Sequence, residues 1–324
     1  MLTKLWIIAP CYYDIPSFLK LKERAQSVLR ERFPDAKLIT VLIDDSGGQD
    51  EELKKLSDAD SMVVVSPPFN LGHQGALVFA LRRLSRLIKE SDFIVTLDSD
   101  GEDRPEDIPA LLDPLLRAED DLGQVSLAWR TRRHEGPLFK IMYFFFKIYF
   151  STLTGTVVRS GNFIACRGWF AQHVLFHPFF DYCYSSSVLV LAKQKSLIPL
   201  ARGTRIAGQS KMTTINLISH GFRMLLPFSE VIAVRAIVIS AILFVATIIL
   251  ASYAIYLTMI DSPTAVRALT LTMSAVCILA VVVGTSAILF HNFNQTRALG
   301  MRQLTYNDTS LDCIICYGCK LEEL

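Results

Sequence analysis

The chain has 324 residues, enough for one sizeable globular core with an appended element, and 51% of them are hydrophobic, at the upper end of what soluble proteins carry. A formal net charge of +2 excludes a nucleic-acid partner recruited by bulk electrostatics. Seven cysteines, odd in number and scattered, fit a reducing cytosol better than a disulfide framework.

Residues 5–9 form a short apolar run ended by Pro10, which reads as a first β-strand and not as a signal peptide. Similar β-branched runs, bounded by turn-forming residues, predict strands at 38–43, 61–65 and 93–97. Between them, 18–32, 51–56 and 74–89 carry apolar residues at three- and four-residue spacing and predict helices. This α/β alternation predicts a mostly parallel sheet with helices on its faces, where ligands bind beyond the carboxyl ends of the strands.

Residues 139–153 are apolar over most of a helical wheel, with Lys140 and Lys147 on one face. Too short to span a bilayer, they predict an interfacial helix with its lysines among phosphates, a buried core helix being the alternative. A second such helix is expected at 214–229. Beyond it, 236–257 and 268–290 contain no charged residue, and each is long enough to cross about 30 Å of hydrocarbon. The connection between them holds Asp261-Ser262-Pro263, which does not easily continue a helix. Lys211, Arg223, Arg235, Arg297 and Arg302 flank the outer ends against only Arg267 in the connection, which places both ends in the cytoplasm. The expected organisation is a cytoplasmic domain at 1–228, a two-helix transmembrane hairpin at 230–292 and a cytoplasmic tail at 293–324. The alternative is that these runs are core helices of a large soluble domain. Gly284, with Ala280 and Ser286 nearby, permits close helix packing and a possible homo-oligomer. Cys313, Cys316 and Cys319 have CxxC-like spacing without a fourth ligand nearby, so a disordered tail is expected in preference to a zinc site.

The chemistry concentrates in the loops after the strands. In order these are Pro10 to Asp14, Asp44-Asp45-Ser46-Gly47-Gly48, Asn70 to Gln74, and Asp98-Ser99-Asp100 followed by Glu102 and Asp103. Carboxylates clustered this way repel one another unless a cation or donor groups satisfy them. Hard oxygen ligands suit Mg²⁺ or Mn²⁺ shared with a substrate diphosphate, and Asp98, Asp100 and Glu102 are the candidate metal ligands. His73, at a helix start, reads as a structural cap or surface residue, with contact to the diphosphate as the alternative.

Six segments in this order, 10–14, 43–46, 70–76, 97–107, Gly161-Asn162-Phe163 and 205–211, resemble a family 2 glycosyltransferase of the polyprenyl-phosphate type, the group that contains dolichyl-phosphate mannose synthase. The resemblance covers most of residues 5–228. It implies a glycosyltransferase-A fold, a Rossmann-like mixed sheet flanked by helices, followed here by the transmembrane hairpin. It also implies that Pro10, Tyr12, Asp14 and Asp45 hold the base and ribose of a UDP- or GDP-sugar, with Asp98 and Asp100 facing its metal diphosphate. Arg205, Ser210 and Lys211 match the family's Arg-x-x-Gly-x-Ser-Lys motif and are expected near the acceptor phosphate, with Arg130 and Lys140 on its other side. The implied reaction is a single displacement with inversion onto a polyprenyl phosphate at the cytoplasmic membrane face. Two departures stand out: Asn162 occupies a position that is acidic in many relatives, and Tyr13 one that is commonly Asn. Asp100, Asp103 and Asn162 are the catalytic candidates, Asp103 as the nearest substitute for the missing carboxylate. The competing readings are a transferase acting on a hydroxyl-bearing membrane lipid and a non-catalytic membrane scaffold. A polysaccharide synthase is disfavoured because the chain has no Gln-x-x-Arg-Trp motif.

Overall fold

The computed structural model of the protein describes residues 2–118, 121–130, 137–157, 161–205, 214–259, 263–306 and 313–320, with the backbone alone described for 137–142, 214–217, 291 and 293–306. In chain order the elements are β1 (Lys4–Cys11), α1 (Ile15–Arg32), β2 (Lys37–Asp44), β3 (Met62–Val65), α2 (Gly72–Leu84), β4 (Phe93–Thr96), α3 (Ile108–Arg117), β5 (Val125–Arg130), α4 (Pro137–Thr154), β6 (Ile164–Arg167), α5 (Gly168–His173), α6 (Tyr184–Leu191), β7 (Lys195–Leu200), α7 (Thr214–Leu225), α8 (Ser229–Met259), α9 (Pro263–Tyr306) and β8 (Ile314–Tyr317). The chain divides into two compact units: Met1–Phe144 with Val158–Pro227 and Gly300–Leu324, and Phe145–Val157 with Phe228–Leu299.

The first unit is built on one mixed sheet of order β7-β5-β6-β4-β1-β2-β3-β8. Strands β1 to β4 run parallel, which puts their four carboxyl ends on one edge. Strand β6 is antiparallel to both β4 and β5, and β5 runs parallel to β7. The core follows from the apolar runs: β1 and β4 are buried on both faces, and Phe18, Leu21, Ala25 and Leu29 of α1 lie in the same cluster as Leu111, Leu112 and Leu115 of α3. That i, i+3, i+4 spacing is the reason those segments are helices, since each buries one stripe against the sheet.

Two expectations need correction. Residues 51–55 form a 3-10 turn started by Asp50, whose side chain accepts from the Glu52 N–H, because so short a segment cannot complete an α-helix. The tail is not disordered throughout: β8 adds antiparallel to β3, with Met62 opposite Tyr317 and Val65 opposite Ile314. Strand β3 would otherwise be a sheet edge with unpaired backbone groups, and pairing satisfies them without any side-chain signature.

In the second unit, α8 and α9 are the two described helices long and apolar enough to cross a membrane, and α9 runs well past the predicted end at 290. Both are exposed along most of their length, Val234, Ile242, Ile249, Leu271 and Leu289 included, which is not how the core helix of a soluble domain is built. They meet through small residues: Ser240 Oγ donates to the Ala280 carbonyl at 2.7 Å, and a Cβ on Gly284 would stand 3.1 Å from that same Oγ. Ala280 and Gly284 therefore pack within the hairpin, while Ser286 is exposed. Helix α4 ends on Gly155, at φ +73°, and Arg235 of α8 donates to its Thr152 carbonyl at 2.8 Å, closing a helix terminus that would otherwise leave acceptors unmet.

Candidate active site

The parallel strands deliver their loops to a common edge. Asp44 builds the turn after β2: its carboxylate accepts from Ser46 N–H, Ser46 Oγ at 2.6 Å and Gly48 N–H at 2.7 Å. Asp45 is left for other work. Its backbone N–H donates to the Cys11 carbonyl at 2.9 Å, which ties it to the end of β1, and its Oδ1 accepts from the Leu71 N–H at 2.8 Å. Burial pushes the Asp45 carboxyl up to about 6, against the stabilising Leu71 N–H and the charge of His73. Pro10 lies in β1, and Asp14 stands before α1, where its side chain makes no capping bond. Tyr12 and Tyr13 project beside them, each 45% exposed, with ring centroids 4.7 Å apart edge to face. Tyr13 adopts φ +51°, the left-handed region that suits Asn or Gly better than a bulky side chain.

The acidic loop after β4 is held by two sets of cations. Asp98 Oδ1 lies 2.7 Å from His73 Nε2 and 3.1 Å from Asn162 Nδ2, and its Oδ2 lies 3.7 Å from Arg130. Burial alone would raise the Asp98 carboxyl, but His73, Arg130 and the Asn162 amide hold it well below the usual carboxylate range. In return, Asp98 outweighs the burial of His73 and holds that ring toward its protonated form. The Asn162 side-chain oxygen accepts from the Gln74 amide, and its backbone carbonyl accepts from Thr96 Oγ1 at 2.6 Å. Asp103 is buried, with Oδ2 accepting from the Asp98 N–H and Oδ1 3.1 Å from Arg130 Nη2. Burial, with Asp98 and Asp100 nearby, pushes its carboxyl up to about 6 in spite of Arg130. Gly161 makes room for that guanidinium, because a Cβ there would stand 2.8 Å from it.

The second set comes from the segment after β7. Asp100 Oδ1 accepts from the Glu102 N–H at 2.9 Å, and Oδ2 lies 2.8 Å from Arg205 Nη2. Glu102 is paired with Arg202, and its carbonyl accepts from the Gly203 N–H at 2.8 Å. The Asp100 carboxyl is raised by burial and by the neighbouring Asp98 and Glu102 charges, which Arg205 only partly offsets.

The structure thus brings Asp98, Asp100, Glu102, Asp103, Asn162, Arg130 and Arg205 together on one side of the strand edge, with Pro10, Tyr12, Asp14 and Asp45 at the ends of β1 and β2. Ser210 and Lys211 lie outside the described residues, as does the side chain of Lys140. The sequence reading undervalued His73, Gln74 and Arg202. It also passed over His220 of α7, whose ring is held below its usual value by burial and by the charges of His73 and Arg223. The Gly72-His73 step into α2 was the available signal for His73, since a side chain there lies beside the helix N-terminus that faces the strand ends.

Among the described residues, no group of three or more acidic, His or Cys side chains converges as a metal cluster. Asp98 pairs with His73 and Arg130, Asp100 with Arg205, and Glu102 with Arg202 and, at 3.8 Å, with Arg205, so each of the three predicted ligands faces a cationic side chain. A hard ion carried on one or two carboxylates plus diphosphate oxygens is a different requirement, and Asp100 with Asp98 fits it in donor chemistry and in mutual repulsion.

Comparison with known proteins follows the same lines. A family model described as glycosyl transferase family 2 matches residues 6–172, which hold every residue of the site up to Asn162 but not Arg205. The undecaprenyl-phosphate 4-deoxy-4-formamido-L-arabinose transferase of Enterobacter sp. (strain 638) is 24% identical over 268 residues, covering 75% of this chain and 76% of that one. Among solved structures, mannosyl-3-phosphoglycerate synthase from Rubrobacter xylanophilus has a TM-score of 0.48 at 15% identity, covering 71% of this chain and 73% of that one. A 4-diphosphocytidyl-2C-methyl-D-erythritol synthase has a TM-score of 0.39 at 12% identity, covering 69% and 100%. The chain belongs to glycosyl transferase family 2, a glycosyltransferase built on a mixed-sheet, glycosyltransferase-A-like domain with two long apolar helices near its C-terminal end.

Proposed function

We propose that this glycosyltransferase moves a sugar from a UDP- or GDP-sugar to a polyprenyl phosphate at the cytoplasmic face of a membrane, with inversion at the anomeric carbon. The observation that carries the reading is the alternation of charge on the strand edge, where acidic Asp98, Asp100 and Asp103 are interleaved with His73, Arg130 and Arg205. Such an arrangement serves two phosphate-bearing substrates at once. The similarity to a protein named for transfer to undecaprenyl phosphate supports the acceptor class.

An acceptor phosphate monoester is anionic near neutral pH and attacks without a strong protein base, so catalysis reduces to positioning and charge stabilisation. Asp45, with Pro10, Tyr12 and Asp14, holds the nucleoside. Asp98 holds His73 toward its protonated form, beside the place proposed for the diphosphate. Both oxygens of Asp103 are engaged, so it acts by orienting Arg130 toward the acceptor phosphate and by fixing the Asp98 backbone. Asn162 holds Asp98 in place. Arg205, with Ser210, Lys211 and Lys140, supplies acceptor-side donors, the Arg guanidinium by fork-shaped contacts. Mg²⁺ or Mn²⁺ held by Asp100 and Asp98, with Glu102 close by, would neutralise the departing diphosphate.

The hairpin of α8 and α9 anchors the enzyme where lipid phosphates present their headgroups, with the catalytic domain and both termini cytoplasmic as the Arg distribution requires. Tyr253 and Tyr256 stack near the connecting end of α8, 6.2 Å apart, as aromatic side chains do at a membrane surface. The test is purified protein in detergent with Mn²⁺, polyprenyl phosphate and a panel of UDP- and GDP-sugars. A sugar-lipid product that requires both the metal and Asp100 supports the reading. Nucleotide release only with a diacylglycerol-type acceptor overturns the acceptor assignment, and no turnover with any pair favours a scaffold.

A further inference from the structure

Both oxygens of Asp100 are engaged, one by the Glu102 backbone and the other by Arg205 at 2.8 Å. Asp98 is held differently, because His73, Asn162 and Arg130 reach it from three separate elements. Among the described residues Arg205 is the cation paired with Asp100, and its guanidinium also lies 3.8 Å from Glu102 Oε1. Its delivery is a backbone matter: the Gly203 N–H donates to the Glu102 carbonyl, and a Cβ on Gly203 would stand 2.7 Å from the Gly101 carbonyl, so the 202–205 segment is seated on the acidic loop whatever the Arg205 side chain does. The Arg205 and Asp100 side chains are 28% and 17% exposed, so the pair is partly buried but open at one side to solvent-borne ligands. A divalent ion at Asp100 Oδ2 competes with Arg205 for the same oxygen, and a doubly charged ion completed by diphosphate oxygens is the stronger claimant.

We infer that Arg205 is a positioning residue that serves as the exchangeable counter-ion of Asp100: it leaves when a divalent cation and nucleotide diphosphate bind, and is then free to pair with the anionic acceptor phosphate. This rests on the reading of function above.

The test is Mn²⁺ binding to the full-length protein in detergent, followed by loss of the free-ion electron paramagnetic resonance signal, for wild type, Arg205→Gln, Arg205→Lys and Asp100→Asn, each checked for a wild-type melting profile. Arg205→Gln is expected to bind Mn²⁺ roughly three- to tenfold more tightly than wild type, with Arg205→Lys nearer to wild type and Asp100→Asn much weaker. A water-soluble short-chain prenyl phosphate should bind wild type more tightly with Mn²⁺ and UDP or GDP present than without, and Arg205→Gln should lose that difference. Equal Mn²⁺ affinity in wild type and both Arg205 variants, with loss in Asp100→Asn, overturns the exchange and leaves a metal on Asp100. Mn²⁺ affinity unchanged in Asp100→Asn removes the metal from that carboxylate and overturns both the exchange and the metal-assisted reading.

Discussion

Nε2 of His73 lies 2.7 Å from Oδ1 of Asp98, joining the first turn of α2 to the acidic loop after β4. The pair sets a ring that Asp98 holds toward its protonated form beside the acidic loop. On the proposed function, replacing His73 with Ala removes a donor beside the place where leaving-group charge develops. A loss of about ten- to a hundredfold in kcat/KM is expected, with little change in melting temperature, from initial rates against nucleotide sugar. Unchanged rates would return His73 to the role of a surface residue.

Asn162 bridges Gln74 and Asp98. Asn162→Asp sets a second carboxylate against Asp98 Oδ1, and two carboxylates at that distance do not both ionise without cost. The variant is expected to lose about tenfold or more in turnover at neutral pH and to melt at a lower temperature. A gain of activity would show that the acceptor needs a base after all.

Asp45 yields a pH signature. Its carboxyl titrates near 6 in the fold against 3.8 ordinarily, so between those values the folded protein binds more protons than the unfolded chain, and stability falls as pH rises through that window. Asp45→Asn keeps the acceptor for the Leu71 N–H and removes the buried charge. Its melting temperature should match wild type near pH 4 and exceed it above pH 6, by the equivalent of about 2–3 kcal/mol, while donor affinity falls. Asp103 titrates in the same range, so the variant-minus-wild-type difference is the quantity to read. A difference that is flat with pH contradicts the buried-charge account.

Tyr13 keeps a left-handed backbone at a position where Asn or Gly would be relaxed. Tyr13→Asn is expected to stabilise the fold by about 1 kcal/mol while weakening nucleotide binding several-fold, because the exposed ring beside Tyr12 is lost. Chemical denaturation and nucleotide titration of the same preparation measure both effects. Stabilisation without any loss of affinity would make the strain incidental.

Gly284 lets α9 approach Ser240 closely, so Gly284→Leu should loosen the hairpin and not a subunit contact. Faster proteolysis in the α8–α9 connection at an unchanged particle size is the expected result. A drop in particle size would instead identify Gly284 with an oligomer interface.

The alternating strands and helices up to β4, the acidic triplet and the apolar hairpin could be read from the sequence because each is local. A period of two or about 3.6 residues, a turn after a strand, or a run of uncharged residues is imposed by backbone geometry and solvent within a few positions. Strands β5 to β8 could not be read that way. They pair across long connections, and β8 owes its place to the unmet backbone groups of β3 more than to any pattern of its own. Only the tertiary structure divided the carboxylates into Asp98, held by His73 and Asn162, Asp103, set against Arg130, and Asp100, covered by Arg205. Which cation meets which carboxylate is fixed by sheet order and by glycines such as Gly161 and Gly203 that let distant segments approach, and electrostatic pairing depends on that distance through space and not along the chain.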